Sequence, residues 1–414
     1  MESASPSAAV EDLFRRESSH LVSALVRLLG PRHVALAEDV VHDALLSAMQ
    51  AWRFEIPDQP RAWILQAAKN RAIDVLRRDR RFAVLQSELD PESAIDSALS
   101  PAADAENQLT MMFAICDDAL SPETHVTLIL RLLCGLSSGE IARAFLVDVQ
   151  TIDRRLHRGR ARLHELGQLH DLQAEDEVRA RQPSVEQALY LLFNEGYQGS
   201  DVDNPLLPAL CSDALRLVEL LLEVSAVERG TAHALAALFC FNAARLCTRL
   251  DIEGVFVPLA EQERALWNRA LFERGVQHLG KSARGSHWTR WHLEAGIALE
   301  HTRAPSLAET DWQKVVEYYD LLLALSPGPV VALNRGLAIA ELRGLAAGHE
   351  VLLLLEGDPK LARYSFYWAA RADIERRRGR ASEALALYRR AATLAKSAAE
   401  RRSYERRLRE LEHG

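Results

Sequence analysis

Residues that break or bend a backbone are few: the 414-residue chain holds 15 prolines and 20 glycines, while 48% of it is hydrophobic. With Ala, Leu, Arg and Glu dominant, this composition favours an all-α protein, long enough for two to four domains. Cysteine is sparse too. Cys116, Cys134, Cys211, Cys240 and Cys247 include no C-x-x-C pair, so buried free thiols in a reducing cytoplasm are expected, not disulfides or a thiolate metal site. No apolar run approaches the roughly 18 residues of a membrane span. The opening MESASPSAAVEDLF lacks the basic start and apolar core of a signal peptide. A cytoplasmic protein that touches no membrane is therefore expected. The net charge of −8 excludes a generic polyanion binder, so any nucleic-acid contact must come from local basic patches. Enzyme signatures are missing as well. The histidines form no H-E-x-x-H and no paired metal spacing, so His42, His287 and His292 read as surface or core residues. No G-x-S-x-G elbow or phosphate loop occurs. No catalytic residue, metal or cofactor is expected.

What the chain does contain is a helix-turn-helix pattern from Leu136 to Leu163. Ser137 can cap a helix, with Glu140 as the reciprocal capping-box acid. Ile141, Ala142 and Phe145 share one face. Leu146-Val147 leads into a tight turn, and Asp148 can cap a second helix. There Val149, Ile152, Leu156 and Leu163 form an apolar stripe. Opposite it stand Gln150, Thr151, Arg154, Arg155, His157, Arg158, Arg160 and Arg162. An apolar back and an Arg-rich front suit a DNA major groove, where guanidinium groups meet phosphates and guanine edges. A solvated basic face is the plainer meaning of such a charge run.

Upstream, a helix spans Val10 to Leu29 and stops at Gly30-Pro31. A second runs from about Val34 to Trp52, with Ala37, Val40, Val41, Ala44, Leu45 and Ala48 inward and Glu38, Asp39, His42 and Asp43 outward. The aromatic, proline-bearing loop from Trp52 to Pro60 cannot be helical. From Arg61 a third helix carries Trp63, Asn70 and Asp74 and ends in the basic Arg77, Arg78, Arg80 and Arg81. Rings beside arginines suit the holding of an opened DNA strand.

These stretches, AEDVVHDALLSAMQAW, RAWILQAAKNRAIDVLRRDRR and GLSSGEIARAFLVDVQTIDRRLHRGRARL, occur in an order that resembles the extracytoplasmic-function sigma factors of bacterial RNA polymerase, from about Val10 to Gly167. The first two resemble region 2 and the third region 4. The resemblance implies that Glu38, Asp39, His42 and Asp43 grip the β′ clamp of core polymerase, and that region 4 meets the β flap. It implies −10 contacts from Trp52, Phe54, Trp63, Asn70, Asp74, Arg77 and Arg78. The −35 element would be read by Gln150, Thr151, Arg154, Arg155 and Arg158. Position 42 is His and position 159 Gly, where many members carry Gln and Ala.

Residues 83–108 hold acidic side chains and no Lys or Arg, and read as an acidic linker. Leu109 to Leu120 reads as helix, and Ser121-Pro122 starts another that stops at Gly135. After a charged linker (168–183), Ser184 and Gln187 fit a capping box, and Gly196 a left-handed helix end. The segment Tyr190, Phe193, Asn194, Glu195, Gly196 and Tyr197 resembles the opening of the C-terminal extension in one sigma-factor subgroup with a tetratricopeptide-like tail. It reads either as a docking surface or as core. Helices are expected over Pro208 to Val224 and His233 to Leu250. Further on, Trp368, Ala372, Ala384, Tyr388 and Ala391 fall on tetratricopeptide spacing, with weaker copies at Asn334 and Ala338 and at Trp291, Ala295, Tyr319 and Leu322. Such arrays bind protein partners on a concave surface. The organisation expected is all-α: a region 2 domain (1–82), the acidic linker, a region 4 domain (109–167), the second linker, and a helical regulatory domain (184–414). The function expected is a sigma factor controlled by its extension. The other reading is a stand-alone helix-turn-helix regulator with a sensing tail.

Overall fold

The computed structural model describes residues 6–30, 33–52, 56–78, 104–166, 175–198, 206–285 and 288–413. Every regular element among them is helical, apart from one β-bridge between Leu250 and Phe256. They divide into two compact units: 1–192 with 223–227, and 193–222 with 228–414.

The first unit opens with α1 (Pro6–Leu29), α2 (Val34–Ala51) and α3 (Pro60–Arg78), packed on one another. Gly30 ends α1 at φ 87°, a backbone state that costs glycine little. The apolar stripe of α2 is buried at Ala37, Val40, Val41, Ala44 and Ala48, with Leu45 half-buried. α4 (Asp104–Ala114) begins inside the expected acidic linker and stops short of Leu120. Burial of Leu109, Met111, Met112 and Phe113 explains why helix forms there. Residues 83–103 lie outside the described residues.

α5 (Pro122–Leu128) starts as expected: Ser121 accepts the Thr124 N–H at 3.3 Å and Pro122 fills the first helical position. It continues as a π-turn over Ile129–Leu133, then turns at Gly135, φ 70°. α6 (Ser138–Phe145) and α7 (Val149–Leu166) follow. Regions expected as separate domains share one unit, because α1 packs on α4 and the π-turn, and α2 packs on α7.

α8 (Glu175–Tyr197) corrects the second linker. Helix already runs from Glu175, and Pro183 lies in its interior, so Ser184 starts nothing. Interior proline costs about 3 kcal/mol; complete burial of Val185, Ala188 and Leu189 offsets it. Ser184 Oγ lies 3.3 Å from His125 Nδ1, and Arg181 donates to the Phe113 carbonyl at 3.4 Å. These contacts assign the first half of α8 to the first unit. The division between units therefore falls at Leu192–Phe193 and not at 183–184.

The second unit contains α9 (Pro208–Leu221), α10 (Arg229–Ala243), α11 (Arg269–Ser282), α12 (Arg290–Arg303), α13 (Trp312–Leu325), α14 (Pro329–Arg343), α15 (Leu345–Leu353), α16 (Ser365–Arg377), α17 (Ala381–Leu394) and α18 (Ala398–His413). α10 starts earlier than expected because Glu228 caps it, accepting the Gly230 N–H at 3.3 Å, and it ends before Leu250. α10 is apolar nearly all round and packs against α9, α11 and α12. Phe239 stacks on Phe193 with centroids 4.4 Å apart, and Phe193 stacks in turn on Tyr197. Phe193 and Tyr197 are thus core residues, which decides against a docking surface built on those rings. Gly196 is not left-handed. A Cβ there would lie 2.8 Å from the Cys211 backbone N and the Leu207 carbonyl, so glycine lets α9 start close by. Further along, Trp368, Ala372, Ala384, Tyr388 and Ala391 are all buried where α16 and α17 pair; of the weaker copies, Trp291, Ala295, Leu322 and Ala338 are buried on α12, α13 and α14, while Tyr319 and Asn334 are half-buried. Four cysteines are buried as expected; Cys247 is exposed. Burial pushes the thiols of Cys116, Cys211 and Cys240 up to about 12, which leaves them inert.

Two stability measurements follow. A Cβ on Gly159 of α7 would meet three side-chain carbons of the fully buried Leu128 at 2.8–2.9 Å. Helix propensity favours Ala by about 1 kcal/mol, but overpacking costs about 1–3 kcal/mol. Gly159→Ala should therefore lower the melting temperature and Gly159→Val lower it further; a rise with Ala would refute the contact. In the second unit His233 Nδ1 lies 2.9 Å from His278 Nδ1. Burial, then His233, Arg274 and Lys281, push His278 down to about 4; burial, with Lys281 and Arg229, lowers His233. With both histidines lowered, the unfolded chain binds more protons than the folded one as pH falls from the ordinary 6.5 toward the His278 value of about 4. Stability of this unit should be full above about pH 6.5 and fall toward pH 4, and His278→Gln should flatten that slope in pH-dependent denaturant melts.

Candidate nucleic-acid interface

The interface begins with one cap. Ser137 accepts the Glu140 N–H at 3.2 Å, and Glu140 accepts the Ser137 N–H at 2.6 Å, closing a capping box that fixes where α6 starts. α6 ends on Leu146 in the left-handed conformation, φ 53°, and the Val147 N–H bonds back to the Ala142 carbonyl at 3.0 Å. This tight turn aims α7. Ile152, Leu156 and Leu163 are buried as expected, but Val149 is 45% exposed and Gly159 occupies the stripe instead. Val149 stands in the first helical position.

The basic front then divides. Gln150, Arg154 and Arg158 are exposed on successive turns, with Thr151 half-buried beside them. Arg154 folds back onto the Gln150 carbonyl at 3.2 Å and Thr151 Oγ1 at 3.4 Å. Arg155 lies with its guanidinium 5.1 Å from the Phe145 ring centre and is half-buried. Arg160 and Arg162 leave the front altogether. Arg160 pairs with Glu38 of α2 at 2.7 Å, and Arg162 with Asp117 at 2.7 Å and with Glu165. The Arg162 hydrogen bond holds the Asp117 carboxyl below the usual range. A finer reading of the helix period signals this, since Arg160 follows Leu156 by one turn and borders the apolar stripe.

On α2, Asp39 and His42 are exposed, whereas Asp43 is bound by Arg71 of α3 at 2.6 Å. Glu38 is held by Arg160, so α7 touches the acidic face. The contact is incomplete: a groove of about 460 Å³ opens there between Val34, Ala35, Arg131, His157, Arg160 and His164. On α3, Asn70 and Asp74 are exposed, and Asn70 accepts a hydrogen bond from Gln66 at 2.9 Å. Trp63 is half-buried. Trp52 corrects the expected base-stacking ring. It closes α2, is 9% exposed, and sits 5.4 Å from Phe14 and 5.6 Å from Trp63. Phe54 and the Arg77 and Arg78 side chains lie outside the described residues. Of the segment opening the extension, Tyr190 and Asn194 are half-buried and Glu195 is buried. Among the described residues no cluster of three or more His, Cys, Asp or Glu could hold a metal ion, and no helix is long and apolar enough to cross a membrane.

Comparison with known proteins adds three family matches and a relative. The family described as Sigma-70 region 2 matches residues 13–82, and Sigma-70, region 4 matches residues 118–163. A family of unknown function, DUF6596, matches residues 181–283. An uncharacterized protein of Rhizobium meliloti (strain 1021) is 32% identical over 392 residues, covering 92% of each chain.

The Glu38–Arg160 pair yields a measurable expectation. The two side chains are 26% and 36% exposed. A double-mutant cycle with Glu38→Gln and Arg160→Gln should give a stability coupling of at most about 1 kcal/mol, shrinking as salt rises. A coupling that salt leaves unchanged would mean a drier contact.

Proposed function

Because the chain belongs to the sigma-70 family of RNA polymerase sigma factors, extended C-terminally by a DUF6596 segment, we propose that α7 reads the −35 element through Gln150, Thr151, Arg154 and Arg158. As a sigma factor it binds core RNA polymerase and promoter DNA. The observation carrying the assignment is the exposed row on α7, which has no acidic partner among the described residues, next to arginines committed to carboxylates. An extended guanidinium at Arg154 or Arg158 can pair bidentately with a guanine edge or take a phosphate. Arg155, stacked on Phe145, serves as a flanking phosphate contact. The reading requires no catalytic residue.

Asp39 and His42, with Glu38 and Asp43, form the face for the β′ clamp, and region 4 approaches the β flap. Asn70 and Asp74 face the −10 element, joined by Phe54, Arg77 and Arg78. On this reading Trp52 supports the −10 surface from below. Core polymerase and Arg160 compete for Glu38, so region 4 must release α2 before the holoenzyme forms. The extension, whose paired helices suit a protein partner, controls promoter output. Nothing favours a stand-alone regulator.

The test is transcription reconstituted with core polymerase. Arg154→Ala and Arg158→Ala should each weaken promoter use by about 1–3 kcal/mol where a base edge is lost, while core binding is kept. Asp39→Lys should show the opposite pattern. Arg162→Ala should lower thermal stability instead of promoter discrimination. Normal transcription from both α7 variants would remove the assignment.

A further inference from the structure

Where α10 gives way to the turn that precedes α11, the second unit concentrates positive charge for which the described residues supply no counter-charge. Arg245 is 8% exposed. Arg245 and Arg264 lie 5.4 and 4.7 Å from the same ring centre, that of Trp267, and Arg249 lies 4.2 Å from that of Tyr197. Among the described residues no carboxylate pairs with any of the three arginines.

Their hydrogen bonds leave donors over. Arg245 uses Nε on Gln262 at 3.3 Å, Arg249 uses Nη2 on the Tyr197 carbonyl at 3.3 Å, and Arg264 uses Nη1 on the His301 and Ala304 carbonyls at 2.5 and 2.9 Å. Buried and without a partner remain Arg249 Nε, Arg264 Nη2, His301 Nδ1 and the Tyr197 hydroxyl. Burial, with Arg245 and Arg264 nearby, pushes His301 down to about 4, so it stays neutral and adds no further cation at pH 7.

The balance of forces is unfavourable as it stands. Packing a guanidinium on an aromatic face returns about 0.5–2 kcal/mol. Withdrawing a charge from water without an ionic partner costs several kcal/mol, and neighbouring arginines add repulsion. An oxyanion reverses both costs, because a carboxylate or phosphoryl group matches the planar fork of arginine.

We propose that Arg245, Arg249 and Arg264 form a binding site for the carboxylate or phosphoryl group of a small molecule, with Tyr197 and His301 completing its donors. Trp267 holds two of the guanidiniums in place. The proposal concerns binding alone, and stands whether or not the extension controls transcription.

The full-length protein would be titrated calorimetrically with sodium phosphate and, separately, sodium acetate, against sodium chloride at equal ionic strength. Saturable binding of either, with Kd below about 1 mM, is expected, and the stronger of the two identifies the headgroup. Arg245→Lys, which keeps the charge and loses the fork, should weaken it at least about ten-fold. Arg245→Gln should abolish it and, in anion-free buffer, melt no lower than wild type, because an uncompensated charge has gone. A purely structural arginine predicts the reverse, a lower melting point and unchanged binding. Absence of saturable binding of both anions to the wild-type protein overturns the proposal, as does binding that survives Arg245→Gln. Should that variant fail to fold, the wild-type titration and Arg245→Lys decide.

Discussion

Helix α7 lies against Leu128 of α5 with no side chain of its own between them, because residue 159 is glycine. Leu128 is fully buried, and so are Ile152 and Leu163 on α7. A close-packed contact of this kind leaves the helix little freedom to rotate. The direction of Arg154 and Arg158 is thus set by atoms on the opposite side of the helix. The capping box at Ser137 and the left-handed Leu146 fix the other end of the motif. On the proposed reading α7 must present side chains to a groove within a narrow tolerance, and the core supplies that tolerance.

The second unit rests on a different device. α10 is apolar on nearly every side, so neighbouring helices must surround it. The Phe193–Phe239 stack joins it to the end of α8. Burial of a phenyl ring contributes about 1.5–3 kcal/mol, enough to draw Phe193 and Tyr197 of the segment that opens the extension into the interior. That segment's aromatic content suits a core as well as an interface, and burial separates the two.

Much of the molecule was legible in the sequence. The stripe of α2, the Ser137–Glu140 box, the Ser121-Pro122 start and the α16–α17 pairing follow from local periods and caps, which depend on neighbours a few residues away. What escaped depends on tertiary contact. Pro183 reads as a boundary until Val185, Ala188 and Leu189 are seen buried. Arg160 and Arg162 read as part of the basic front until Glu38 and Asp117 are found beside them. Trp52 reads as loop because prolines follow it, yet Phe14 and Trp63 draw it inward. Gly159 reads as a departure from the alanine of many relatives, and the position of Leu128 explains it.

On the proposed reading, in which core polymerase takes the face that holds Glu38, the Glu38–Arg160 pair bears on how sigma factors share a limited pool of polymerase. If only the open arrangement engages core enzyme, the apparent dissociation constant is the intrinsic one divided by the open fraction. A half-exposed ion pair worth about 1 kcal/mol alters that fraction by no more than about five-fold. Such a pair acts as a handicap in competition and not as a lock. Ionic strength would then adjust this chain's share of the pool continuously, with no dedicated inhibitor.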